Sequence, residues 1–221
     1  MNLAPSPVSI MAPRVDKYFL PPTALMPNSP KPLLHYPSFF TPDECTPSNV
    51  YKILRNNGWR ARWLARYGPN QPSHYHSAVH ECMVVLSGSA RVLFGVADLT
   101  EDIIGGDVFV LPAGLAHKTH DPSPVSEFAW LSPGDGRAPS DEDMEAVMST
   151  VQLSGFTMLG SYPQAGEDWD FAVGGESEGQ YEKVWSVPVP ERDPVQGEQR
   201  VGYARTGIEA KERRTLARHV L

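Results

Sequence analysis

Three imidazoles and a carboxylate stand at spacings that β geometry can bring to one point: His74, His76, Glu81 and His117. His74 and His76 are two apart, so on a strand both side chains leave the same face, where they can chelate one ion. Neutral imidazoles with one carboxylate suit Fe, Mn, Ni, Cu or Zn rather than Ca or Mg, which take all-oxygen shells. Glu81 raises a question of parity. It lies five positions beyond His76 and would face the opposite side of an unbroken strand, whereas His80, four beyond, would face inward. Strand arithmetic therefore favours His80, and only a turn or bulge in Ser77-Ala78-Val79 would return Glu81 to the ion.

These residues need strands to present them. Gly106 and Pro112-Ala113-Gly114 read as strand punctuation that offers His117 from a second strand. Short strand candidates separated by Gly, Pro and Asp turns fall at 73–76, 81–87, 90–96, 107–111, 115–120 and 126–132. Such spacing without intervening helices predicts an all-β sandwich or barrel. Upstream, 46–57 is a helix candidate with Thr46 or Ser48 as cap, Val50, Ile53 and Leu54 as stripe and Gly58 just past its end. From 59 to 67 the alternation predicts a strand with Trp59, Ala61, Trp63, Ala65 and Tyr67 on one face. Arg60, Arg62 and Arg66 fall on the other, read as a solvated edge or a salt-bridged subunit contact before an anion site. Ser140-DEDMEAVMST reads as a helix with Ser140 as cap and Met144, Val147 and Met148 as its apolar stripe. Phe156–Tyr162 and Lys183–Val189 are further strand candidates.

Residues 1–47 hold many prolines and cannot form a regular helix. They are expected to form an arm, disordered over the first dozen residues and extended from Asp16. The main body is expected over 48–200, with a helical insertion near 139–150 and a tail over 201–221. His35, in the arm, is given a packing or surface role. The 221 residues are 41% hydrophobic, enough for a core. The net charge of −7 argues against nucleic acid. No apolar run reaches the length of a membrane span, and the N-terminus lacks a secretory pattern, so the expected compartment is the cytoplasm. Cys45 and Cys82 are then expected to be free thiols.

The two halves of the chemical stretch resemble the paired motifs of the cupin superfamily. Gly68, His74, His76, Glu81 and Gly88 match the first, G-x5-H-x-H-x3,4-E-x6-G. Gly106, Pro112, Gly114 and His117 match the second, which departs only where Asp121 replaces a non-ligating asparagine. The resemblance implies a single jelly-roll (double-stranded β-helix) barrel with a few short helices. It also implies a divalent metal held by His74, His76, Glu81 and His117, with His80 as the rival fourth ligand. Over about residues 30–200 the chain is similar to the YjlB-type cupins of bacteria and fungi. The resemblance rests on His74-Tyr-His-Ser77, His80-Glu81, Pro112-Ala-Gly-Leu-Ala-His117-Lys118, Tyr162-Pro163 with the acidic run to Asp170, and Val187-Pro-Val-Pro190. Cupins commonly form homodimers, and the apolar Cys82, Val84 and Leu86, opposite the metal face, suggest one here.

Four protein ligands on a six-coordinate ion leave two positions open, which fits an Fe(II)-type oxygenase acting on a small oxygenated organic metabolite. A divalent ion with one carboxylate has a local charge near +1 and favours anionic or chelating substrates. The same ligands would serve an isomerase, epimerase or decarboxylase that needs no O₂, or a cupin that only binds a small molecule. For proton transfer, His80 and His120 are the candidates over Tyr75 and Lys118, which alternate with ligands and should point away.

Overall fold

The computed structural model describes residues 13–69, 71–95, 99–134, 139–197 and Tyr203, with backbone alone over 99–101. The first dozen residues and, Tyr203 apart, the tail from 201 lie outside the described residues. Among the described residues, ten strands and three short helices follow one another: β1 (Asp16–Leu20), β2 (Ser29–Tyr36), α1 (Pro47–Asn56), β3 (Trp59–Arg66), β4 (Glu81–Ser87), β5 (Ser89–Phe94) and β6 (Leu99–Ile104). Then come β7 (Val108–Leu111), β8 (His117–Ser123), β9 (Ala129–Trp130), α2 (Asp141–Thr150), β10 (Thr157–Pro163) and α3 (Tyr181–Trp185). Antiparallel pairing arranges them as one sheet in the order β1-β2-β7-β4-β10-β3-β9 and a second in the order β6-β5-β8. The architecture is an all-β jelly roll.

The large sheet is buried on both faces. Its inner face supplies Trp63, Met83, Val85, Phe109, Leu111 and Met158, which meet Val92, Phe94 and Ile103 of the small sheet in the barrel interior. Its outer face supplies Leu34, Tyr36, Cys82, Val84, Leu86 and Val110, roofed by Val50 and Leu54 of α1 and Met144 and Met148 of α2. The two helices are capped as their sequences predict: Thr46 accepts from the Asn49 N–H, and Ser140 from the Asp143 N–H. Tyr51 Oη on α1 donates to the Asp141 carbonyl at the start of α2. Cys82, Val84 and Leu86 are therefore packed within this chain. The apolar face from which a homodimer was expected is filled by its own helices.

The extended proline-rich segment lies on the domain, where β1 and β2 form one edge of the large sheet. Two other expectations change. Lys183–Val189 is not a strand: its bonds close in the single turn of α3, where Ser186 N–H reaches the Glu182 carbonyl. In β3 the register against β10 skips from Trp63 to Ala61, leaving Arg62 as a bulged extra residue. Trp59 and Ala61 consequently face the helices, while Trp63, Ala65 and Tyr67 face the barrel. Among the described residues, no helix is long and apolar enough to cross a membrane.

Candidate metal centre

His74 and His117 exchange both backbone hydrogen bonds across a short antiparallel bridge, His74 N–H to His117 O at 3.2 Å and the reverse at 2.9 Å. Residues paired in this way carry their side chains on one face, and the two rings lie 4.3 Å apart between centroids. Tyr75 points the other way, its hydroxyl bonded to Ser177 Oγ. His76 returns to the first face. The ligating atoms of His74, His76 and His117 all lie within 4.8 Å of one another, and all three residues are buried.

Each of these rings is also oriented. Nδ1 of His74 lies 3.1 Å from the Pro72 carbonyl, Nδ1 of His117 lies 3.1 Å from the Leu115 carbonyl, and Nδ1 of His76 meets the Asp170 carbonyl. A carbonyl only accepts, so every Nδ1 carries its proton, and in the neutral ring Nε2 is the nitrogen left with a lone pair. This arrangement of backbone partners is what fixes tautomer and ring plane at metal sites.

The chain bends at Ser77 and Ala78, whose N–H groups both donate to the Asp170 carboxylate, at 2.9 and 3.1 Å. Strand β4 starts afresh at Glu81, which shares the inward face with Met83 and Val85. Its Oε2 lies 3.2 Å from His76 Nε2 and 3.3 Å from His117 Nε2. His80 is turned away. Its Nδ1 accepts from the Ala113 N–H at 3.1 Å, and its ring sits near Tyr203, with burial and then the charge of Lys31 holding its pKa down to about 4. His80 is therefore not placed to act on a group bound at the three histidines. Neither is His120, three residues beyond His117 and so on the outer side of β8, where its Nδ1 pairs with the exposed Asp121 at 2.9 Å. The parity that points Lys118 outward applies equally to His120.

The site gains residues that lie far off in sequence. Tyr162, beside Glu81 through β10, donates its hydroxyl to Glu81 Oε1 at 2.5 Å and stands 3.4 Å from His76 Nε2. Trp63 Nε1–H in turn donates to the Tyr162 oxygen at 3.0 Å. Burial, reinforced by the Glu81 charge, pushes the Tyr162 pKa well up, so the phenol keeps its proton. After β10 the chain returns over the histidines. Trp169 packs edge-on against His76, and Phe171 stacks on His74 at 4.3 Å. Ala172 and Tyr75 pin that segment down by a reciprocal pair of backbone bonds at 2.9 and 3.0 Å. Tyr162-Pro163 and the acidic run to Asp170 belong to the family likeness, but no spacing assigns these residues to the site; strand pairing brings Tyr162 in, and the returning segment brings in Trp169 and Phe171.

The electrostatics fit a cation. With Nδ1 protonated throughout, the Nε2 atoms of His76 and His117 face Glu81 Oε2, which is buried and has no other partner among the described residues. Burial raises the cost of charge on His76, yet the Glu81 carboxylate outweighs it and lifts the His76 pKa. Burial likewise opposes charge on Glu81, but His76 and His117 hold its pKa well below the ordinary range. His74, disfavoured by burial and then by the neighbouring His117 and His76, is lowered to about 3. A buried set that attracts one positive charge and resists a second proton is suited to a divalent ion with neutral imidazole ligands.

Residues 49–140 match the model of the Cupin family. The chain is 27% identical over 184 residues to protein YjlB of Bacillus subtilis (strain 168), covering 81% of this chain and 89% of that one. It is 29% identical over 115 residues to the DNA damage-repair/toleration protein DRT102 of Arabidopsis thaliana, a match spanning 51% of this chain and 36% of the plant protein. Among solved structures it is similar to the polyketide cyclase RemF from Streptomyces resistomycificus, at 15% identity and a TM-score of 0.30 over 81% of this chain and 92% of that one. A likeness of that size carries no argument about chemistry.

Proposed function

From the premise that this chain carries a cupin domain and is a relative of YjlB, we propose that it is a metal-dependent enzyme acting on a small oxygenated organic metabolite. His74, His76 and His117 bind through Nε2 and Glu81 through Oε2, and the ion is Fe(II), with Mn, Ni or Zn as the other members of the class. The observation that supports this reading is the cluster of three buried imidazoles whose ligating atoms lie within 4.8 Å of one another, with the buried Glu81 Oε2 beside two of them. Such an ion, when bound, supplies Lewis acidity and, as Fe(II), access to dioxygen chemistry, so the reaction we assign is an oxygenation.

The chain's own residues contribute orientation, a hydrogen-bond donor and a dry wall. Tyr162 holds its proton at Oη against Glu81 Oε1 and is the neutral hydrogen-bond donor placed to meet a substrate oxygen beside the histidines. Trp169 and Phe171 cover His76 and His74 and keep bulk water from them. Tyr162 also supports a second reading, an isomerase or decarboxylase without O₂, since enolisation needs a neutral acid beside the polarised oxygen.

Elemental analysis of freshly purified protein, with circular dichroism, tests the ligand assignment. His76→Ala and His117→Ala should each lose the metal while the barrel stays folded. Stoichiometric metal retained in both would overturn it. Oxygen uptake by Fe(II)-loaded protein over a panel of hydroxy and keto acids separates the two reactions.

A further inference from the structure

The bulge at Arg62 has placed two arginines where alternation would not. Arg60 is the direct cross-strand partner of Tyr162, so the two share a face, and Tyr162 is the residue that reaches Glu81. Arg60, Arg62, Tyr162, Gln164, Glu167 and Asp168 line a polar cleft of about 220 Å³ that shares Tyr162 with the candidate metal centre. Arg62 is mostly buried, its side chain 14% exposed, and it is paired with Asp168, whose own side chain is 71% exposed. Arg60 Nε lies 3.4 Å from Asp141 without making a hydrogen bond.

A guanidinium fork fixed in the wall of a cleft and met by a solvent-exposed carboxylate is a carboxylate-recognition site occupied by the chain's own residue. Asp168 lies largely in solvent, and an incoming carboxylate keeps the mostly buried Arg62 paired, so the exchange leaves no buried charge without a partner. With Asp168 gone, the cleft charge turns positive. We propose that this cleft binds the carboxylate of a small organic acid on Arg62 in exchange for Asp168. Asp168 is the chain neighbour of Trp169, which stacks parallel to Tyr162 at 6.1 Å and covers His76. The exchange is therefore felt at the wall of the metal pocket. The inference deepens the proposed function by naming the substrate class, and rests on that reading only in calling the occupant a substrate.

The test uses the full-length, metal-free, ¹⁵N-labelled protein at constant ionic strength. The Trp169 indole N–H resonance, assigned by its loss in Trp169→Phe, is followed while sodium acetate is added. Methyl acetate serves as the uncharged isostere and inorganic phosphate as the alternative oxyanion. Acetate should shift the signal saturably and methyl acetate should not. Asp168→Asn should tighten acetate binding roughly two- to fivefold by removing the competitor. Arg62→Gln should weaken it about tenfold, with Arg62→Lys between, because lysine keeps the charge and loses the fork. Equal binding of methyl acetate, tighter binding of phosphate, or no gain in Asp168→Asn would overturn the proposal. Because no metal is present, this titration and the elemental analysis of the parent protein can fail independently.

Discussion

Holding a carboxylate ready in a dry pocket takes a donor on at least one oxygen, and for Glu81 that donor is Tyr162 on Oε1. Tyr162→Phe removes the hydroxyl and little volume. We expect Zn²⁺ affinity, read by chelator competition, to fall about tenfold while the fold persists, the usual cost of losing a partner that orients a ligand. His80 makes the opposite kind of statement. The unfolded chain takes up a proton on this ring as the pH falls through 6.5, while the folded protein keeps it neutral down to about 4. Stability is therefore lost as the pH falls across that window, on the order of 3 kcal/mol from this one residue. His80→Gln cannot titrate, so urea midpoints of the metal-free variant should decline less between pH 7 and 4 than those of the parent. Asp121, at the position where the motif's asparagine departs, adopts a φ of +51°. Asn and Asp are the non-glycine side chains that best tolerate that conformation, so either residue suits this turn.

At the scale of elements, the position of Tyr162 depends on its strand partners. Gly160 lies two residues earlier on β10, and a Cβ there would meet the Trp63 ring at 2.0 Å. The glycine is space for the indole whose N–H orients Tyr162. Gly160→Ala should destabilise the protein by roughly 1–3 kcal/mol in denaturant unfolding, through overpacking. It should also weaken metal binding in the same direction as Tyr162→Phe, because the indole is displaced. The loop before His117 depends on glycine for a different reason. Gly114 has a φ of +89°, and a Cβ there would fall 2.6 Å from the Asn28 carbonyl oxygen. Close approach of β2's leading segment and the left-handed turn together specify glycine. The segment from Trp169 to Ala172 completes the pocket from outside the paired motifs, with Asp170 serving both the bend at Ser77-Ala78 and the ring of His76.

For the whole molecule, the decisive feature is a large sheet covered on both faces by the same chain. Val84 is fully buried beneath α1 and α2. Val84→Asp should therefore cost several kcal/mol of unfolding free energy and compromise the monomer's fold, rather than dissociate a folded dimer, as sedimentation with denaturant unfolding would show. Much of the fold was legible in the chain because strand periodicity, helix caps and turn glycines are local. His74 and His76 are two apart and His117 follows a compact turn, so the meeting of these imidazoles could be read from spacing, and Glu81 was added by the likeness to cupins. Parity alone favoured His80, because the inward turn of Glu81 depends on a bend that Asp170 stabilises from about ninety residues away. The bulge at Arg62 exchanged the faces of β3 midway, so an unbroken alternation misassigned both the aromatic residues and the arginines. The sequence by itself determined an all-β barrel and which imidazoles could meet. The tertiary structure alone placed Glu81 beside His76 and His117 and turned His80 away, turned His120 outward and brought Tyr162, Trp63 and Trp169 around the site. Those placements follow from long-range strand register, and register depends on partners that local spacing does not contain.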